Sequence, residues 1–211
     1  MLRLIWSLNK MKFTKEKFHQ VKITLIGMQG SGKTFLSKRI IKVFKNPLVY
    51  GVYPFEWENE PNKIKVYLPE GFTPASFEKF AGMLINEQMQ NKTYDALFVD
   101  DADLFFNSNF NKYPNTNRLF ISQRQLGLTL MFASKRPQNL STKVYENSDF
   151  VFSFATEGVN VKKYLENLNE KMKILIPKLS REKHNFILKE IGKEPKLLRL
   201  NANKSKEQKS K

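Results

Sequence analysis

The 211-residue chain has no cysteine, so neither disulfides nor thiolate-bound metals can hold it together, which fits an intracellular life. No stretch approaches the ~20 consecutive apolar residues that a membrane-spanning helix needs, and the apolar start Met1–Leu8 is shorter than a signal-peptide core. The chain is therefore expected not to be an integral membrane protein. Acids are also in short supply, with 20 Asp and Glu against 36 Lys and Arg, a net charge of +16. Glycine is sparse at nine residues, so it matters that Gly27, Gly30 and Gly32 fall so close together.

The excess of positive charge is uneven. Residues 1–50 carry 11 basic residues and 1 acid, residues 51–156 carry 10 and 12, and residues 157–211 carry 15 and 7. Basic ends thus flank a nearly neutral centre. Such a field favours a polyanion, and nucleic acid leads because it offers many phosphates at once. Charge spread for solubility is the alternative reading.

The run Gly27-Met28-Gln29-Gly30-Ser31-Gly32-Lys33-Thr34 fills every fixed position of the phosphate-binding loop G-x-x-x-x-G-K-[ST]. Val21, Ile23, Leu25 and Ile26 read as a buried strand entering it, and Phe35, Leu36, Ile40, Ile41 and Phe44 recur at helical spacing after it. Without a Cβ the glycines let the backbone turn sharply and aim N–H groups at phosphates, where the following helix adds partial positive charge. Lys33 is expected to reach the β- and γ-phosphates, and the Thr34 hydroxyl to ligate Mg²⁺. Residues Gly27 to Thr34 with Phe35 form the expected nucleotide-contacting set, and ATP with Mg²⁺ the expected cofactors.

Pro47 is expected to close the helix after the loop, with strands over Leu48–Tyr53 and Ile64–Tyr67. Thr73-Pro74 starts a helix whose apolar stripe is Phe77, Phe80, Met83 and Leu84. Ala96–Val99 is a compact apolar strand that delivers Asp100 and Asp101 at its carboxyl end, the form of a Walker B element. Asp100 would hold the metal and Asp101 would polarise the attacking water, with Asp103 as the fallback base. An Asn-rich loop over residues 105–117 precedes a helix near Arg118–Leu126 ended by Gly127. Leu128–Ala133 and Phe150–Phe154 read as further strands, followed by a helix from about Asn160 to Met172 and a hairpin, Phe186–Glu190 with Lys196–Leu200, around Gly192. The fold class is α/β: a three-layer, RecA/ASCE-like P-loop NTPase with a mainly parallel central sheet flanked by helices. Residues 1–18 read as a basic extension, 19–200 as one motor domain and 201–211 as a disordered basic tail.

A GTPase would carry an Asn-Lys-x-Asp motif, whereas Asn91-Lys92-Thr93-Tyr94-Asp95 has one residue too many. The order of the remaining landmarks resembles the FtsK–HerA superfamily of ring-forming DNA-pumping ATPases. These landmarks are Gly27–Thr34, Val99-Asp100-Asp101, the run from Arg124 through Gly127 to Ser134-Lys135-Arg136-Pro137, and Asn147-Ser148-Asp149 ahead of Phe154. Within that group the compact size is similar to the packaging ATPases of tailless icosahedral viruses with internal membranes, including archaeal ones. The resemblance implies double-stranded DNA as a sequence-independent partner and a homo-oligomeric ring, hexamer or pentamer. It also implies a capsid or membrane-protein docking partner, and a place in the host cytoplasm or the virion. It further implies an arginine supplied by the neighbouring subunit, with Arg124 first and Arg118 and Arg136 behind it, and a γ-phosphate sensor among Ser134, Lys135 and Asn147. Two positions depart from the family: Asp101 stands where Glu is common, and Lys135 where the sensor is usually Gln. The alternatives are a Zot-like or loader-type assembly ATPase acting on a protein, a small-molecule kinase, and a nucleotide-dependent binding module that hydrolyses poorly.

Overall fold

The structure, a computed structural model, describes residues 6–7, 13–51, 54–57, 60, 64–158, 165–166 and 169–200. Nine strands form one sheet: β1 (Trp6–Ser7), β2 (Lys22–Ile26), β3 (Pro47–Tyr50), β4 (Lys65–Tyr67), β5 (Ala96–Val99), β6 (Thr129–Ser134), β7 (Phe150–Phe154), β8 (Asn185–Glu190) and β9 (Lys196–Arg199). Their order across the sheet is β1-β9-β8-β7-β2-β6-β5-β3-β4. From β4 to β7 every pairing is parallel, and the β8–β9 hairpin adds antiparallel strands beyond β7. The α-helices bounded within the described residues are α1 (Lys33–Ile41), α2 (Pro74–Gln90), α3 (Pro114–Ile121), α4 (Thr142–Glu146) and α5 (Glu170–Leu175).

All residues of β3, β5, β6 and β7 are buried, as expected of strands covered on both faces. Alternation then sorts them. Ile26, Leu97, Val99, Leu130, Phe132 and Val151 face a core built with α2, α3 and α5. Ile23, Leu25, Ala96, Phe98, Met131 and Phe152 face a second core built with Leu36, Ile40 and Ile41 of α1. Two cores, one per face, make the expected three-layer α/β architecture.

Local chemistry explains the helix starts. Thr73 accepts a hydrogen bond from the Ser76 backbone N–H at 3.1 Å, Ser76 Oγ accepts from the Thr73 N–H at 3.0 Å, and Pro74 occupies the first turn where no N–H is needed. α3 begins at Pro114, four residues before the expected Arg118, because Glu78 of α2 accepts from the Asn115 and Thr116 N–H groups at 2.8 Å each. That carboxylate caps the helix from another element, which no local pattern announces.

Several expectations are corrected. α1 ends at Ile41, ahead of Pro47, which instead opens β3. Phe35 and Met83 lie on exposed faces of their helices, apart from the apolar stripes they were assigned to. In the Asn-rich segment Phe105, Phe106 and Phe110 are fully buried and pack on Phe77, Phe120 and Phe132, mostly edge-on, with ring centroids 4.8–5.4 Å apart. They serve the core and leave only the polar side chains facing out. Of the helix expected over Asn160–Met172, residues 165–166 are helical and a helix capped by Asn169 runs over Glu170–Leu175, past Met172, while 160–164 and 167–168 lie outside the described residues. Phe18, assigned to the basic extension, is fully buried, so the core starts before residue 19. The basic tail 201–211 lies outside the described residues, as does most of 1–12.

Candidate active site

The strand order decides the site. β6 lies between β2, which feeds the phosphate-binding loop, and β5, which delivers the acids. Ile26 pairs with Ser134 and Val99 with Phe132, so all three carboxyl ends arrive at one edge of the sheet. The loop is tied there by two backbone bonds, Gly27 N–H to Ser134 O at 3.2 Å and Met28 N–H to Ala155 O at 2.9 Å. Gly32 is at φ +107°, and a Cβ there would stand 2.5 Å from Leu200 Cδ1, so this position accepts glycine alone.

A cavity of about 640 Å³ opens at this edge, lined by Gln29, Gly30, Gly32, Lys33, Thr34, Phe35, Phe55, Glu56, Asp100 and Lys135. This is the size and shape of a small-molecule site. Lys33 folds back onto the loop, donating to the Gly27 and Met28 carbonyls at 2.5 and 2.9 Å. Burial pushes its ammonium down to about 8, and the nearby Asp100 carboxylate works against that shift. Burial also pushes the Asp100 carboxyl up to about 6, with repulsion from Asp101 adding to it. An acid kept from its comfortable charged state by desolvation is one that a cation would relieve.

The second acid sits differently. Asp101 has left-handed backbone geometry (φ +46°) and its carboxylate pairs with Lys135 Nζ at 3.1 Å. Asp103, raised by burial, accepts from the buried Ser134 hydroxyl at 2.8 Å, which in turn accepts from the Arg136 N–H at 3.1 Å. Lys135, Ser134, Asp101 and Asp103 therefore form one polar bridge between the ends of β5 and β6, beside the loop. Arg136 is exposed at that same edge.

The remaining expected residues lie elsewhere. Arg124 pairs with Asp149 at 3.4 Å, and Asp149 accepts from the Lys22 N–H at 2.8 Å. Lys22 and Asp149 mark the amino ends of β2 and β7, so Arg124 and the neighbouring Asn147 stand at the edge opposite the phosphate-binding loop of their own chain. Arg118 on α3 contacts Met89. Two lining residues escaped sequence reasoning: Phe55 and Glu56, which follow β3 in a short 3₁₀ turn. The only sequence signal was their position just past the end of β3, a strand whose place beside β5 sequence does not give.

No protein-family profile matches the chain, and no curated protein sequence does. The fold does find relatives. The DNA-packaging ATPase B204 of Sulfolobus turreted icosahedral virus is similar at a TM-score of 0.70 and 18% identity, over 85% of this chain and 97% of that one. The genome packaging NTPase B204 of Sulfolobus turreted icosahedral virus 2, in complex with ATP-gammaS, gives 0.67 and 17% over 84% and 96%. The chain has the P-loop NTPase fold. The pCW3 conjugation coupling protein TcpA, with ATPgS, is similar at 0.52 and 13% identity over 86% of this chain and 60% of that one. The α/β fold class expected from the sequence is thus found both in the sheet and in these likenesses. No described helix is long and apolar enough to cross a membrane.

Proposed function

We propose that this chain is an ATP-hydrolysing double-stranded DNA translocase, a genome-packaging motor ATPase of a virus. The observation that carries the reading is the convergence of Lys33, Thr34, Asp100 and Lys135 on one cavity at the carboxyl edge of a sheet in which β6 separates the loop strand from the acid strand. The likeness to B204 over 84–85% of the chain supports it.

In this reading the loop N–H groups and Lys33 bind the phosphates of ATP. The residues fit Mg²⁺: Thr34 and Asp100 offer hard oxygen donors and line the same cavity. Mg²⁺ bound there would offset charge on the β- and γ-phosphates. Lys33 leaves its two loop carbonyls for the incoming phosphates. Asp101 or Asp103 takes a proton from the attacking water, and Lys135 and Ser134 position the γ-phosphate end. Subunits form a closed ring in which Arg124, Arg118 or Arg136 of a neighbour completes the charge compensation. Arg124 and Asn147, on the far edge of their own protomer, serve such a site only in trans. The DNA is held by its backbone, independent of sequence, and the excess positive charge draws it in. A capsid or membrane-protein docking partner and a host-cytoplasmic or virion location complete the proposal.

Phosphate release measured across a titration of double-stranded DNA tests it. Hydrolysis rises with DNA, and added salt suppresses the rise. Hydrolysis that stays flat across the titration in a verified oligomer refutes the translocase reading, and transfer to a small acceptor without free phosphate replaces it with a kinase.

A further inference from the structure

The phosphate-binding loop is flanked by two cations, and sequence motifs account for only one. Lys135 stands on the β6 side, paired with Asp101. On the β7 side stands Arg181, from the turn between α5 and β8. A Cβ built on Gly30 would lie 2.7, 3.1 and 3.3 Å from Nη2, Nε and Cζ of Arg181, so the guanidinium rests directly against the loop. Gly30, at φ +71°, lines the cavity.

This placement is built. The buried Asn185 accepts from the Ser180 N–H at 2.7 Å and donates to Lys178 O at 2.8 Å, while the His184 N–H closes the turn onto Arg181 O at 3.1 Å. β8 starts where antiparallel β7 ends, with Phe186 beside Phe154, and β7 leads straight to Ala155, which anchors the loop. The turn is thereby held against the loop on the side away from Asp100 and Lys135.

Electrostatics make this position odd for an arginine without a ligand. The loop already carries Lys33 and the positive end of α1. Among the described residues no carboxylate pairs with Arg181: the ion pairs there involve other side chains. A cation set unpaired beside another cation lacks its counter-charge, and a bound phosphate would supply it.

We propose that Arg181 is a nucleotide-binding residue acting in cis, its guanidinium holding the α-phosphate end of the nucleotide on the loop of its own chain. The inference rests on the nucleotide-site reading above. Metal and γ-phosphate belong to the β5–β6 side, where Asp100 and Lys135 are; the β7 side is left for the end nearer the base. Planar and always charged, a guanidinium suits a phosphate oxygen pair.

Fluorescent ADP and ATP are titrated into the full chain, wild type, Arg181→Ala and Arg181→Lys, with circular dichroism to verify folding. Arg181 is exposed, so truncation leaves the fold intact. Arg181→Ala weakens ADP and ATP by the same factor, about tenfold. Arg181→Lys recovers part of this, and kcat at saturating ATP stays close to wild type while KM rises. Mixing Arg181→Ala with Lys33→Ala subunits leaves KM as high as in Arg181→Ala alone, because no chain then holds both groups. Arg181→Ala binding nucleotide as tightly as wild type refutes the inference, as does a loss confined to ATP, a KM returned to the wild-type value in the mixture, or weakened DNA binding at unchanged nucleotide affinity. A wild type that binds neither nucleotide refutes the underlying nucleotide reading instead.

Discussion

Replacing Asp100 by Asn should make the ligand-free protein more stable while destroying its hydrolysis. Burial and Asp101 raise the Asp100 carboxyl from 3.8 to about 6, and each unit is worth about 1.4 kcal/mol, so its ionisation works against folding by about 3 kcal/mol at neutral pH. Because the folded-state pKa lies above the unfolded one, this carboxyl favours the fold below pH 3.8, and the advantage disappears as pH rises through 6. Asn removes the charge, and its amide oxygen still accepts from the Asp101 N–H, now 3.0 Å from Asp100 Oδ1. Lys33 loses a favourable neighbour, which offsets part of the gain. A net gain of about 1–2 kcal/mol remains, a rise in Tm of about 2–8 °C for a chain of this size. Melting followed by circular dichroism in EDTA, without nucleotide, at pH values from 4 to 8 reads it. The gap between variant and wild type should open between pH 4 and 6 and then level off. Mg²⁺ with an ATP analogue should close or reverse it by stabilising the wild type alone. A variant no more stable than wild type at pH 7.5, or a gap of the same size at pH 4, would refute the reasoning.

Lys33→Ala should leave the melting transition in place and abolish nucleotide binding, read by fluorescence titration. In the wild type, affinity for nucleotide should fall as pH rises past 8, where the free-state ammonium of Lys33 deprotonates, and binding near and above that pH should take up protons, visible as a buffer-dependent heat. Arg124→Ala should change stability by under about 1 kcal/mol, since its ion pair with Asp149 is exposed. It should nevertheless remove hydrolysis, and mixing with Asp101→Asn subunits should restore part; no restoration refutes a trans arginine. Thr73→Ala, which removes the α2 cap, should cost about 1 kcal/mol by urea melt without touching KM.

How much was legible in the sequence differs between the two halves of the site. The loop needed no tertiary information: glycines, Lys33 and Thr34 are contiguous, and their chemistry depends on backbone shape over eight residues. The compact strands Ala96–Val99 and Phe150–Phe154 were read to the residue, because short runs buried on both faces stand out from their polar borders. The start of α3 was missed because its cap, Glu78, is 37 residues away along the chain. The aromatics at 105–110 look interleaved with a polar loop in one dimension, and only the packing of α2 over β3 and β5 shows them to be core.

The sequence by itself therefore determined that this chain holds a phosphate loop on a parallel α/β sheet, because those signals are local: backbone permissiveness, strand burial and helix caps. Which groups face that loop was decided by strand order. β6 between β2 and β5 brings Ser134 and Lys135 to the acids, β3 brings Glu56, and the β8 hairpin brings Arg181, each from a distant part of the chain. The same order sends Arg124 and Asn147 to the opposite edge. Strand order follows from how two hydrophobic faces are covered over the whole sheet, a global balance that no single segment carries.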